Sequence, residues 1–169
     1  MIVMVTGVSG AGKTTFGTAL AQRMGWTFLE CDVLHPPANV EKMRAGIPLT
    51  DADRAPWLDA VAERLRELSS SGRPAVVACS ALKLAYRKKL KAACGAWLLI
   101  YLEARPEDTR IRLAERRGHY MPATLLDSQF ATLEAPSSDE QPLILDAHAP
   151  LEANVSATMH AISALPGNE

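Results

Sequence analysis

Gly7-Val8-Ser9-Gly10-Ala11-Gly12-Lys13-Thr14 satisfies the phosphate-binding spacing G-x-x-x-x-G-K-[ST] at every fixed position. The residue types state the chemistry. Glycines let a backbone wrap closely and turn its N–H groups inward, and a helix starting at the end of such a loop adds positive potential at the same place. Lys13 brings a full charge to the β- and γ-phosphates of a nucleotide, and Thr14 brings a hydroxyl to Mg²⁺. The expected nucleotide-binding set is Gly7, Val8, Ser9, Gly10, Ala11, Gly12, Lys13, Thr14 and Thr15.

Two further groups fit phosphoryl transfer. Moving a phosphoryl group to a hydroxyl calls for a carboxylate that orients the hydroxyl and accepts its proton. It also calls for cations over the oxygens on which transition-state charge spreads. Asp32, in the run Glu30-Cys31-Asp32, suits the first role, and Arg105, Arg112, Arg116 and Arg117 are candidates for the second. Neighbouring helical residues point about 100° apart, so only one of Arg116 and Arg117 faces a phosphate while helical; Arg117 is taken as that one. Arg110 and Arg112 read more naturally as a solvated helix face. Mg²⁺ keeps several waters and takes few protein ligands, so Thr14 is expected to bind it directly and Glu30 through water.

A phosphate loop gives nucleotide binding but not a reaction. A kinase for a small acceptor competes with a switch GTPase or an ATP-driven machine. The sequence has no Asn-Lys-x-Asp segment to read guanine. The nearest approach to an apolar strand ending in a magnesium-anchoring Asp is Leu143-Ile144-Leu145-Asp146, read as structural.

The elements that must position these groups follow from apolar periodicity. Ile2–Val5 is a continuous apolar run, as in a parallel strand covered on both faces. Thr14–Met24 reads as a helix stopped by Gly25. Further strands are expected at Thr27–Leu29, Pro74–Ala78, Ala96–Leu102 and Leu143–Leu145. Helices are expected over Asn39–Arg44, from Thr50 to about Leu68, and over Leu82–Ala93, Pro106–Gly118, Pro122–Thr132 and Leu151–Leu165. Thr50 reads as an N-cap with Asp53 three residues on. Strands alternating with helices specify an α/β fold with a five-stranded parallel sheet and helices on both faces. Ligands then gather at the carboxyl ends of the strands.

The 169 residues suggest a single domain, 1–169, with ordinary apolar (48%) and charged (22%) content. A net charge of −1 offers no broad basic field to nucleic acid or an anionic membrane. Cys31, Cys79 and Cys94 are odd in number and widely spaced, which reads as reduced thiols. With no leader pattern and no apolar run near 18 residues, the expected compartment is the cytoplasm.

From Asp32-Val33-Leu34-His35-Pro36 onward the chain resembles gluconate kinases of the shikimate/adenylate-kinase-like P-loop group. The resemblance is carried by Asn39-Val40-Glu41-Lys42-Met43, Gly46 through Arg54, Pro56-Trp57-Leu58, Cys79-Ser80-Ala81-Leu82-Lys83 with Tyr86-Arg87, Arg117-Gly118-His119-Tyr120-Met121, Leu125 through Phe130, and Leu133-Glu134-Ala135-Pro136. With the glycine loop these blocks run from Gly7 to about Pro136. The resemblance implies a three-layer P-loop kinase fold with a small helical lid over roughly 105–132. It implies phosphorylation of the terminal hydroxyl of D-gluconate by ATP and Mg²⁺ to 6-phosphogluconate, and a homodimer. The chain departs from the family pattern at Cys31, where a glycine is usual.

A polyol carboxylate needs hydrogen-bonding groups and a cation. Lys42, Arg54, Lys83 and Arg87 are the candidate cations, with Lys83 and Arg87 four apart on one expected helix face. His35, after the second strand, is expected in the pocket. Asp53 divides evenly between a substrate contact and a helix cap, Trp57 between a stacking platform and core, and His119 between a hinge and a substrate contact. Asn39 reads as a cap for the helix through Met43.

Overall fold

The structure is a computed structural model that describes residues 1–115 and 123–165. Its centre is β1 (Ile2–Thr6), five residues all buried, as expected of a strand covered on both faces. Parallel partners flank it. β3 (Ala75–Ala78) pairs on one side and β4 (Leu98–Glu103) on the other, with β2 (Thr27–Glu30) outside β3 and β5 (Leu143–Asp146) outside β4. The order is therefore β2-β3-β1-β4-β5.

Alternation along β1 builds two cores. Ile2 and Met4 join Val77 and Leu99 under α3 (Asp51–Ser70) and α4 (Leu84–Cys94), where Trp57, Val61, Leu65 and Leu90 pack. Val3 and Val5 face the other way, with Val76, Ile100 and Leu102, under α1 (Lys13–Met24) and α7 (Leu151–Ser163), where Phe16, Leu20, Val155 and Ile162 pack. The result is three layers, helix–sheet–helix. α2 (Pro37–Arg44), α5 (Pro106–Glu115) and α6 (Ala123–Thr132) lie in the connections. No helix among the described residues is long and apolar enough to cross a membrane.

The expected elements are present with shifted ends. Thr50 caps α3 by accepting from the Asp53 N–H at 3.1 Å, while Asp53 Oδ2 accepts from the Thr50 N–H at 2.9 Å. This reciprocal capping box was visible in the spacing of those two residues. α4 begins at Leu84, so Lys83 is its N-cap, in extended conformation, and not a member of the helix face with Arg87. A 3₁₀ turn, Cys31–Leu34, occupies what read as loop. Cys31 is buried within it, and the non-glycine residues with positive φ among the described residues are Ala81 (35°) and Gln141 (50°). The cysteine therefore fits the position without backbone strain. Asn39 lies inside α2; its amide donates to the Asp53 carbonyl at 2.8 Å, tying α2 to the start of α3.

Candidate active site

The glycine loop leaves β1 and enters α1. Two of its glycines are fixed by close neighbours: a Cβ on Gly7 would lie 2.7 Å from the Leu102 carbonyl oxygen, and one on Gly10 2.7 Å from Thr109 Cγ2 of α5. Their φ values, 144° and 81°, lie where a side chain is disfavoured. Gly12 caps α1 without any side-chain hydrogen bond, so the first amides of the helix are not occupied by a cap. Lys13 is buried, 7% exposed, and its Nζ donates to the Val8 carbonyl at 3.0 Å. The loop thus carries its cation folded back over itself. A cavity of about 360 Å³ opens here, lined among others by Gly10, Gly12, Thr15, Arg112 and Asn154.

Arg112 is the arginine that sequence periodicity misplaced. It lines the nucleotide-side cavity, with its Nη1 3.7 Å from where a Gly12 Cβ would stand. Arg110 does lie on an exposed face, paired with Asp127 at 2.5 Å. Arg105 pairs with Asp108 at 2.7 Å and is largely exposed. Arg116, Arg117 and His119 lie outside the described residues.

At the end of β2, Glu30 reaches back to the helix start. Its Oε2 accepts from the Thr14 hydroxyl at 2.6 Å and its Oε1 from the Asp32 N–H at 3.4 Å. Two hard oxygen donors in contact suit Mg²⁺, which fills its remaining positions with water and phosphate. Among the described residues no group of three or more His, Cys, Asp or Glu forms a metal cluster.

A second cavity, about 110 Å³, adjoins the loop at Ser9; Asp32, His35, Arg54, Ser80 and Gln129 are among its lining residues. Trp57 builds its back wall. It is buried, its Nε1 donates to the Cys31 carbonyl at 2.8 Å, and its ring stacks on His35 with centroids 4.4 Å apart and planes 10° from parallel. Trp57 is therefore a core residue whose ring stacks on His35. Asn39 Nδ2, whose identity is fixed by its bond to the Asp53 carbonyl, lies 3.3 Å from His35 Nδ1. His35 Nδ1 is therefore the acceptor and Nε2 carries the proton. Burial lowers the His35 pKa against the pull of Asp32, which favours the neutral ring.

The remaining predicted cations are engaged elsewhere. Lys42 pairs with Asp53 at 2.6 Å. That bond, with those from Thr50, holds the Asp53 carboxyl down to about 2. Lys83 pairs with both oxygens of Asp51 at 2.8 Å, and each raises or lowers the other's pKa toward the charged form. Arg87 does not reach the cleft at all. It is 1% exposed and forks onto Glu140, Nε to Oε2 at 2.6 Å and Nη2 to Oε1 at 2.9 Å. Its Nη1 donates to the carbonyls of Ala81 and Leu82, each at 3.1 Å. The expectation that Lys83 and Arg87 converge on a carboxylate is corrected on both counts. Lys83 precedes the helix, and Arg87 points down its far side, where it fixes the turn that carries Ser80 and Ala81.

Arg87→Met should therefore act first on stability. It strands a half-buried Glu140 and two carbonyls, a cost of about 3 kcal/mol or more for a broken buried pair. For a domain of this size that corresponds to a Tm lower by roughly 6–12 °C. Thermal denaturation of the variant beside the parent checks this, and an unchanged Tm would contradict the burial argument.

A parallel sheet of order 2-3-1-4-5, a glycine loop running into an uncapped helix, and a polar cleft sharing Ser9 with that loop define a P-loop kinase for a small acceptor. Residues 2–136 match a protein-family model described as an AAA domain. The chain is 53% identical over 138 residues to a gluconokinase of Gluconobacter oxydans (strain 621H), covering 82% of this chain and 78% of that one. Its structure resembles that of a sugar kinase from Janibacter sp. HTCC2649, at TM-score 0.91 and 40% identity over 99% of this chain and 96% of the other. It also resembles the crystal structure of a gluconokinase from Sinorhizobium meliloti 1021, at TM-score 0.82 and 40% identity over 95% and 94%. The chain belongs to the gluconokinase family.

Proposed function

We propose that the protein transfers the γ-phosphoryl group of ATP to the 6-hydroxyl of D-gluconate, giving 6-phospho-D-gluconate. The observation that carries this reading is the adjacency of the two cavities along the phosphate loop: Ser9 lines the cleft that holds Asp32, His35 and Arg54, and the next residue, Gly10, lines the nucleotide-side cavity, so an acceptor in the cleft lies beside the end of a bound triphosphate. The neutral His35 and the Ser80 hydroxyl supply hydrogen bonds for a polyol. Arg54 supplies the cation for its carboxylate while its Nη1 anchors on the Leu49 carbonyl at 2.6 Å. Asp32 orients the acceptor hydroxyl and takes its proton. Lys13, Arg112 and Arg117 neutralise phosphate charge. Mg²⁺ would be held by Thr14 and, through water, Glu30; when bound it offsets charge between the β- and γ-phosphates. Lys42 and Lys83, held by Asp53 and Asp51, do not line this cleft, which leaves Arg54 as its cation among the described residues. The same reading includes a single domain, a cytoplasmic enzyme and a homodimer.

Coupled measurement of ADP release with gluconate, shikimate, AMP and several sugar acids tests the reaction. Gluconate should be preferred by a wide margin. A nucleotide switch would hydrolyse ATP slowly and ignore every acceptor. Arg54→Met should raise the KM for gluconate about 10- to 100-fold and that for ATP little, since a charge-assisted bond contributes roughly 1.5–3 kcal/mol. Equal effects on both substrates would remove Arg54 from the acceptor site.

A further inference from the structure

Ser9 sits on the boundary between the two cavities. Gly10, Ala11 and Gly12 line the nucleotide side, and Ser9 lines the acceptor side. On the proposed reaction, the transferring phosphoryl group must cross at this point. Yet the chain around Ser9 is poorly restrained by its own composition. Gly10 follows it and Gly7 lies two residues before it, both at positive φ, and glycine restricts a backbone less than any other residue.

The restraint comes from 120 residues away. The Ser9 N–H donates to Gln129 Oε1 at 2.7 Å, and Gln129 Nε2 donates to Ser9 Oγ at 3.1 Å. The amide orientation is unambiguous, because a backbone N–H only donates and so must face the oxygen. One side chain of α6 therefore holds both the backbone N–H and the hydroxyl oxygen of Ser9. α5 closes the opposite side, with Thr109 and Leu113 against Gly10, and the Arg110–Asp127 ion pair joins the two helices.

We propose that Gln129 is a positioning residue for phosphoryl transfer: its amide holds Ser9, and with it the acceptor-side edge of the phosphate loop, in the geometry the transition state requires. A glutamine suits this task. It provides one acceptor and one donor without bringing charge to a place where phosphate oxygens must pass. The effect is one of alignment, so it should fall on turnover more than on binding.

The inference rests on the proposed gluconate reaction, and the experiment separates the two. Gluconate-dependent ADP release by the parent tests the reaction. Protection of the Ser9 amide against hydrogen exchange, compared between the parent and Gln129→Met, tests the clamp whatever the acceptor. We expect the Ser9 amide to exchange at least tenfold faster in Gln129→Met, while amides of β1 keep their protection. We expect kcat to fall about tenfold, with both KM values within about threefold of the parent. Gln129→Glu, which keeps an acceptor for the Ser9 N–H, should leave Tm within a few degrees yet lower kcat further, because a carboxylate then faces the incoming phosphate. A merely structural contact would let Gln129→Glu turn over normally. Unchanged Ser9 exchange in Gln129→Met, kcat within twofold of the parent, or a loss confined to the KM for gluconate would overturn the proposal. Should Gln129→Met not fold, the Gln129→Glu kinetics decide alone.

Discussion

Lys13→Ala is expected to lower kcat by 10²-fold or more. Lys13 is the one full charge on the glycine loop, and a preorganised cation over a charged transition state contributes on that scale. Its buried position means the substitution also deprives the Val8 carbonyl of its donor. That cost is about 1 kcal/mol, which a folded domain tolerates. The measurement is steady-state turnover beside thermal denaturation. A variant that stays folded but turns over within a few-fold of the parent would remove the loop from the mechanism.

Asp32→Asn is expected to lose most of its turnover, on the order of 10²- to 10⁴-fold, the range for a lost general base. Asp32 is exposed at the start of the turn after β2, inside the cleft that adjoins Ser9. The amide can still accept a hydrogen bond from the acceptor hydroxyl but cannot take its proton. A loose transition state needs that proton removed late, so ATP affinity should be unchanged and gluconate affinity should change less than kcat. Calorimetric binding of nucleotide beside kinetics checks the split. If Asn supports near-normal turnover, Glu30 becomes the next carboxylate to examine. Asp53 does not, because Lys42 and Thr50 already occupy it.

What could be read before the structure was the local chemistry. The glycine loop, the Thr50–Asp53 capping box and the buried strand β1 each depend on residues within a few positions of one another. Arg87 shows where such reading stops. Its spacing of four from Lys83 made it look substrate-facing, but its partner, Glu140, lies 53 residues on. Lys83 and Asp51, 32 apart, fail for the same reason. A lone charge in a sequence does not state whether another element will neutralise it. Arg112 erred in the other direction: helical spacing gives the face a residue is on, not what lies opposite that face. Gln129 carried no signal of its own type, since a polar residue on a short helix is ordinary until its neighbour is known.

The placement of β1 at the middle of the sheet constrains how the chain is made. β1 pairs with Ala75–Ala78 on one side and Leu98–Tyr101 on the other, both far downstream of it. A ribosome that has released the whole glycine loop has released neither of the strands that flank β1. Those pairings close long loops, whose entropy must be met before any contact rewards it, so the sheet assembles slowly and late. Until residues near 100 emerge, the apolar N-terminal run is an unpaired strand edge, the kind of surface on which nascent chains aggregate and chaperones act. The phosphate loop precedes both flanking strands in the chain, yet it becomes competent only once they have paired.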